Sequence, residues 1–119
     1  MSETSPRLNV SFEDGLTVAE LVEKKLLDEV TIGRIGEQLN ALAARDDRPR
    51  FVVDFSGVAQ MSSSALGMLI TLHKRIREKG GQLRLCCIQP AIYEVFVITR
   101  LNEIFTICQT RQEAVDSLS

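Results

Sequence analysis

The chain has 119 residues, of which 45% are hydrophobic and 25% charged, and its formal net charge is −2. These values are typical of one globular domain spanning residues 1–119, and they lack the basic excess of nucleic-acid-binding proteins. Its apolar stretches are too short for membrane insertion, and residues 1–6 lack the basic and apolar regions of a secretory signal, so we expect a cytoplasmic protein with a flexible N-terminus.

A β-hairpin is predicted at the start of the chain. Residues 8–12 alternate between apolar and polar side chains, and Asp14-Gly15 is a typical hairpin turn. Residues 16–22 then return as the antiparallel partner.

A first helix is predicted over residues 28–45. Its apolar residues recur at helical spacing (Ile32, Ile35, Leu39 and Leu42). Gly33 and Gly36 lie inside this pattern, where each glycine costs about 1 kcal/mol relative to alanine. We interpret them as positions of close packing.

The most informative segment is an apolar strand followed by a run of serines. Residues 51–55 predict a buried strand, and a second helix pattern follows (Leu66, Leu69, Ile70 and Ile76). Ser62, Ser63 and Ser64 therefore stand at a helix N-terminus, at the positive end of the backbone dipole. Such a position accommodates a phosphate and favours a serine switch. The alternative is a plain helix cap, in which one of the hydroxyls accepts a hydrogen bond from a backbone N–H.

Strands and helices continue to alternate towards the C-terminus. Residues 82–88 predict a strand, Pro90 opens a third helix, and residues 104–107 form a short last strand. A capping box at residues 110–113 begins a terminal helix that ends near Leu118. The inner face of the third helix is expected to carry four residues (Ile92, Val95, Phe96 and Thr99).

The predicted fold class is α/β. Alternating strands and helices imply parallel strands joined by right-handed crossovers, so we expect a mixed sheet of about 4–5 strands with about 4 helices. The N-terminal hairpin adds the antiparallel part of this sheet. Eight residues are expected to form one core around it (Phe51, Val53, Phe55, Leu66, Leu69, Ile70, Leu85 and Phe96).

The sequence offers little that could serve catalysis, a metal or a cofactor, so we expect a protein that is not an enzyme. His73 lies ten residues along the helix from Ser63, about 15 Å away at the helical rise, which is too far for a nucleophile–base pair. The lone histidine lacks partners for a metal site. Asp54 has no second acid at a catalytic spacing, and we expect it to accept hydrogen bonds from loop amides near the serines.

Three cysteines indicate a reducing compartment. Cys86 and Cys87 are adjacent in a predicted strand, so their side chains would point to opposite faces of the sheet. We interpret the thiols as small core residues. A disulfide between Cys108 and one of the other two is the alternative.

Two segments resemble the STAS domain family, the fold of bacterial anti-sigma factor antagonists. Asp54-Phe55-Ser56 matches the strand end of its signature, and residues 62–67, SSSALG, match the helix opening Asp-Ser-Ser-Gly-Leu-Gly. The likeness extends over residues 52–105 and is looser in the first 45 residues. Ser62 replaces the usual aspartate, and Ala65 replaces a glycine.

The resemblance implies a binding switch. Ser63 takes the position of the phosphoacceptor, with Ser62 and Ser64 as alternatives. The unphosphorylated protein would bind an anti-sigma factor serine kinase and so release a sigma factor, and phosphorylation would end this binding until a serine phosphatase restores it. The expected binding surface comprises six residues (Ser56, Met61, Ser62, Ser63, Ser64 and Met68). Asp54 and Gly67 would support it.

Other functions remain open from the sequence. Met68 could equally belong to the core. The chain could be a STAS scaffold subunit of a stress-signalling complex, or a small-ligand or nucleotide-sensing module that uses the same helix N-terminus. A hydrolase is the least favoured alternative, because no base lies near the serines.

Overall fold

The computed structural model describes residues 8–118, in which a five-stranded mixed sheet is flanked by helices on both faces. Two further short strands form a separate ladder. The expected flexible segment at residues 1–6 lies outside the described residues. The elements are β1 (Leu8–Glu13), β2 (Leu16–Leu21), β3 (Lys25–Leu26), α1 (Glu29–Ala44), β4 (Arg50–Asp54), β5 (Gln60–Met61), α2 (Ser63–Glu78), β6 (Gln82–Cys86), α3 (Pro90–Ile98), a 3-10 turn (Leu101–Glu103), β7 (Thr106–Cys108) and α4 (Arg111–Leu118).

The strand order of the large sheet is β1-β2-β4-β6-β7. β1 and β2 are antiparallel, as the hairpin pattern predicted, and Leu8 is paired with Leu21 and Glu13 with Leu16. All other neighbours in this sheet are parallel. The predicted α/β fold with a mixed sheet and four helices is therefore confirmed in the described part of the chain.

The two faces of the sheet carry different cores, because successive side chains of a strand point to opposite sides. Phe51 and Val53 of β4 face the larger core, which also contains buried residues of α1, α2 and α3. Val52 faces the smaller core, which is closed by Ala114 and Leu118 of α4. The described residues contain no helix that is both long and apolar enough to span a bilayer.

One predicted core residue is wrong. Ile70 is 42% exposed, whereas the other seven are buried in the larger core. The inner face of α2 is filled by Leu66, Leu69 and Leu72, with Ala65 at its start. Ile70 lies beside this stripe, and spacing alone did not show how wide the buried face is.

Two strand boundaries and one inner-face residue in the C-terminal half also differ from the prediction. The strand predicted over residues 82–88 ends at Cys86, because Cys87 has a left-handed backbone with φ of 62°. The last strand begins at Thr106, since Ile104 follows the 3-10 turn and is 51% exposed. The prediction that Thr99 lies on the inner face of α3 is wrong, because Thr99 is exposed at the C-cap of α3, where its hydroxyl donates to the Val95 carbonyl at 2.7 Å.

The assignment of the buried face of α2 (Leu66, Leu69 and Leu72) can be tested with substitutions at two neighbouring residues. We expect Leu69→Ala to lower the free energy of unfolding by about 2–5 kcal/mol, because it leaves a cavity in the core. Ile70→Ala should change it by less than about 1 kcal/mol, since much of that side chain is already in water. Urea unfolding of both variants measures the difference, and equal losses would contradict the assignment of the buried face.

Candidate functional site

The serine turn, residues 62–64, is held in place by backbone hydrogen bonds to the segment before α1, which the sequence did not reveal. β3 and β5 form a two-residue parallel ladder. At its end the Ser62 N–H donates to the Leu26 carbonyl at 2.9 Å, and the Ala59 N–H donates to the Lys24 carbonyl at 2.7 Å. These bonds fix the turn before α2 begins. Strands of two residues carry no detectable alternation, so periodicity could not predict this ladder.

Ser62 is the N-cap of α2 but does not act as a side-chain cap. Its backbone is extended, with φ of −96° and ψ of 171°, and its carbonyl accepts the Ala65 N–H at 3.1 Å. Its Oγ is buried without a hydrogen-bond partner among residues 8–118, and it does not accept from the first amides of α2. The alternative of a plain hydroxyl cap is therefore wrong for Ser62. The N-terminal amides of α2 stay available to an anion from outside.

The predicted binding residues lie along the N-terminal half of α2 and around its turn. Ser63 and Ser64 are exposed, Met61 is half-buried in β5, and Met68 is half-buried one turn into α2. Ser56 is exposed at the end of β4. Its carbonyl accepts a hydrogen bond from the Gln89 side chain at 3.4 Å, which places it beside the start of α3.

Two exposed apolar residues near the turn were not predicted. Leu27 is 49% exposed and directly follows Leu26, whose carbonyl binds the Ser62 amide. Val30 is 63% exposed in the first turn of α1. Val30 stands between the polar residues Glu29 and Thr31, which was the signal that could have marked it, whereas Leu27 follows the buried Leu26 and carried no such signal.

Asp54 connects the strand end to two other parts of the fold. The residue is 3% exposed, and its Oδ1 accepts the Ser56 N–H at 2.8 Å, which confirms the expected bond from a loop amide. Its Oδ2 accepts from the Arg111 guanidinium, with Nε at 2.9 Å and Nη2 at 2.8 Å. This pairing was missed because the residues are 57 positions apart. A positive side chain at the N-terminus of a helix is unfavourable, because the helix dipole is positive there. Arg111 at the first position of α4 was therefore a sequence feature that suggested a carboxylate partner.

The surroundings of Asp54 keep it ionised. Burial alone would raise its pKa, but the hydrogen bonds from the Ser56 amide and from Arg111 outweigh burial and lower the pKa below its ordinary value. The pKa of Arg111 is raised by the same pair. The site therefore contains a fixed, ionised carboxylate that is already paired with Arg111, rather than a free acid for catalysis.

The thiols near Asp54 belong to the packing. Ligand atoms of Asp54, Cys86 and Cys87 lie within 4.8 Å of one another, an arrangement that could hold a metal ion. Burial raises the pKa of both thiols, which opposes the thiolate form that a metal needs, and both Asp54 oxygens already accept hydrogen bonds. Cys86, Cys87 and Cys108 are free cysteines, so the alternative of a disulfide is wrong.

His73 lies away from the serines on the half-buried side of α2. Its ring packs against Phe105, with ring centroids 5.2 Å apart. Burial lowers its pKa and the nearby Arg77 adds to this effect, so the ring is neutral at physiological pH. His73 is therefore a packing residue at the edge of the core.

Comparisons with known proteins agree with this geometry. The family model described as STAS domain matches residues 8–114. A protein of Bordetella bronchiseptica named "Putative anti-sigma factor antagonist BtrV" is 32% identical over 111 residues, covering 91% of this chain and 90% of the relative. An anti-sigma F factor antagonist of Paenibacillus polymyxa is 25% identical over 92 residues, covering 77% and 79%. The structure of an anti-sigma-factor antagonist (STAS) domain protein from Planctomyces limnophilus superposes with a TM-score of 0.83 at 25% identity, covering 93% of this chain and 97% of that one.

The Asp54 network predicts a pH-dependent contribution to stability. Because the pKa of Asp54 is lowered in the folded state, its bonds stabilise the fold above pH about 4 and are lost as pH falls through the native pKa. Asp54→Asn should lower the free energy of unfolding by about 1–3 kcal/mol at pH 7, and this deficit should shrink below pH 4.

Denaturant unfolding of the parent and the variant between pH 3 and 7 measures the deficit. Asp47→Asn in the exposed loop before β4 is the matched control and should leave stability unchanged. A deficit that does not vary with pH would show that the charge of Asp54 contributes nothing.

Proposed function

This chain belongs to the STAS domain family, and we propose that it is an anti-sigma factor antagonist whose partner binding is switched by phosphorylation of Ser63. Two relatives named as anti-sigma factor antagonists match most of the chain and support the general function. The observation that carries the switch is the N-terminus of α2, where Ser63 is exposed and the side chain of the N-cap residue Ser62 does not cap the first amides.

Ser63 is the best of the three candidate acceptors. Ser62 has a buried Oγ, which a kinase could not reach without opening the turn. Ser63 and Ser64 are both exposed, and Ser63 occupies the acceptor position in the family signature. Ser64 remains the alternative acceptor.

Phosphorylation would change charge without changing the fold. A phosphate adds about −1.5 to −2 charges and three acceptor oxygens. At position 63 it would lie beside the free amides and the positive dipole end of α2, which favour an anion. The hydrogen bond from the Ser62 N–H to the Leu26 carbonyl holds the turn independently of the Ser63 side chain. The free protein therefore needs no rearrangement of this turn to carry the phosphate.

The added charge would act on the binding of the partner. In the proposed cycle the unphosphorylated protein binds an anti-sigma factor serine kinase in the cytoplasm through the surface around Ser63, with Met61 and Met68 as adaptable apolar contacts. The kinase phosphorylates Ser63, and a new dianion in a closely packed interface repels or sterically blocks the kinase. A serine phosphatase resets the cycle. The chain itself acts as a binding protein and not as an enzyme.

The switch can be tested with two variants of one residue. The partner is first identified by co-purification from the source cells with mass spectrometry, and the purified kinase is then used in all measurements. Ser63→Ala should bind it like the parent chain and remain unmodified. Ser63→Asp should fold normally and bind about 100-fold more weakly or worse, because a charge is misplaced in the interface.

The matched control adds a negative charge elsewhere. Gln82 is exposed at the first residue of β6, at the end of the sheet opposite the serines, and Gln82→Glu should bind like the parent. Phosphate found on Ser64 alone would move the acceptor by one residue. If no serine of the turn is modified and Ser63→Asp binds fully, the switch is disproved, and assembly into large particles would favour the scaffold function.

A further inference from the structure

The large sheet has one long free edge, which is β1. Within residues 8–118 its only strand neighbour is β2, whereas the strand at the opposite edge, β7, has three residues. Sheets usually protect their edges with short strands, lysine or proline, because an unpaired edge can bind another strand. The six residues of β1, LNVSFE, include neither lysine nor proline, and their single charge is at the last position. β1 is therefore an unprotected edge.

The hairpin turn determines which backbone groups of β1 face outwards. The turn has two residues, both with positive φ, and Glu13 before it is paired with Leu16 after it. In such a hairpin the pair next to the turn exchanges both of its hydrogen bonds, and every second pair along the strands does the same. The intervening residues Leu8, Val10 and Phe12 therefore direct their N–H and C=O groups towards the free edge.

The same strand presents exposed apolar side chains beside a groove. Val10 is 38% and Phe12 57% exposed, and both point to the face of the sheet on which Leu8 is buried in the larger core. A cavity of about 290 Å³ lies between β1 and α1, and we call it the β1–α1 groove; six residues line it (Leu8, Val10, Gln38, Ala41, Leu42 and Arg45). The Cζ of Arg45 lies 4.8 Å from the centroid of the Phe12 ring, so this ring is held next to the groove.

The free edge is complementary to a second copy of itself. If two β1 strands pair antiparallel about a two-fold axis at Val10, Leu8 of each copy lies opposite Phe12 of the other. This register pairs all three outward-facing residues of both strands, whereas a register centred one or two residues further along leaves Leu8 unpaired. The apolar side chains of the two copies then share one face of the joined sheet, because residues directly opposite each other point to the same side.

The polar residues fit the same register. Asn9 of one copy lies opposite Ser11 of the other on the second face of the sheet. Arg7 lies outside the described residues, but in the sequence it directly precedes Leu8, and the same antiparallel alignment matches its position with Glu13 of the other copy. Opposite charges are therefore matched at both ends of the paired segment, and the two Glu13 side chains are kept apart.

We propose that the β1 edge is a homodimer interface in which two β1 strands pair antiparallel about Val10. The two five-stranded sheets then form one continuous sheet, and Phe12 of each copy lies against Leu8 in the β1–α1 groove of the other. The occupant is a second copy of this chain, because backbone, apolar and charged groups of a single strand match in one register. The proposal is independent of the switch at Ser63, since β1 contains none of the residues of that binding surface.

Sedimentation equilibrium of the purified chain tests the dimer. We expect a monomer–dimer equilibrium with a dissociation constant on the order of 10–100 μM, because the interface is small. Phe12→Lys should weaken the dimer at least about 10-fold, since a charge at a strand edge opposes pairing. Val97 on α3 is 45% exposed, and Val97→Lys is the matched control that should dimerise like the parent. Circular dichroism and urea unfolding of both variants show whether they fold normally.

Charge reversal and cross-linking test the register. Arg7→Glu and Glu13→Arg should each weaken the dimer, and the double variant should restore it. Val10→Cys should form a disulfide between copies on mild oxidation, because paired Cα atoms are about 5.5 Å apart. Phe12→Cys should not, because its partner in this register is Leu8. Peptide mass spectrometry distinguishes the introduced thiols from the native ones.

Three results would overturn the proposal. The first is a parent chain that stays monomeric at a concentration of about 1 mM. The second is a dimer that Phe12→Lys leaves intact while the variant is folded, since its interface would then lie elsewhere on the molecule. The third is a cross-link through Phe12→Cys in place of Val10→Cys, because the strands would then pair in another register.

Discussion

The buried carboxylate of Asp54 is the constraint on which the site depends. It stands at the carboxyl end of the central strand, where the loops of neighbouring parallel strands gather. One oxygen holds the Ser56 amide in the loop that leads to the serines, and the other holds Arg111 at the start of α4 on the opposite face of the sheet. Because a buried ionised group needs both partners, the two sides of the sheet cannot move independently at this edge.

The neighbouring helices α1 and α2 have chemically different N-termini. Asp28 caps α1, accepting the Thr31 amide at 2.8 Å, and this bond lowers its pKa. Ser62 stands at the same position of α2 but leaves the first amides uncapped. Ser62, which replaces the usual aspartate of the family signature, therefore leaves the start of α2 without the carboxylate that α1 has.

Local patterns in the sequence were sufficient for the hairpin, the first helix and the placement of the serines. Asp14 and Gly15 both have a positive φ, as the Asp-Gly turn requires. Local patterns could not predict contacts between residues far apart in the chain, nor the backbone angle of a single residue. The Arg111–Asp54 pair joins distant parts of the chain, and the left-handed Cys87 ended a strand in a sequence that looked extended. The exposure of Ile70 depended on how α2 packs, which its spacing does not determine.

Partner choice within this family requires more than the serine turn. The Planctomyces limnophilus protein superposes with a TM-score of 0.83 although only 25% of residues are identical, so the backbone alone distinguishes these proteins poorly. The proposed charge switch on Ser63 would permit or forbid docking, but it would not by itself distinguish one partner from another. Discrimination needs a shaped contact, and in this chain the exposed Gly67 and the half-buried Met68 follow Ser63 about one turn along α2.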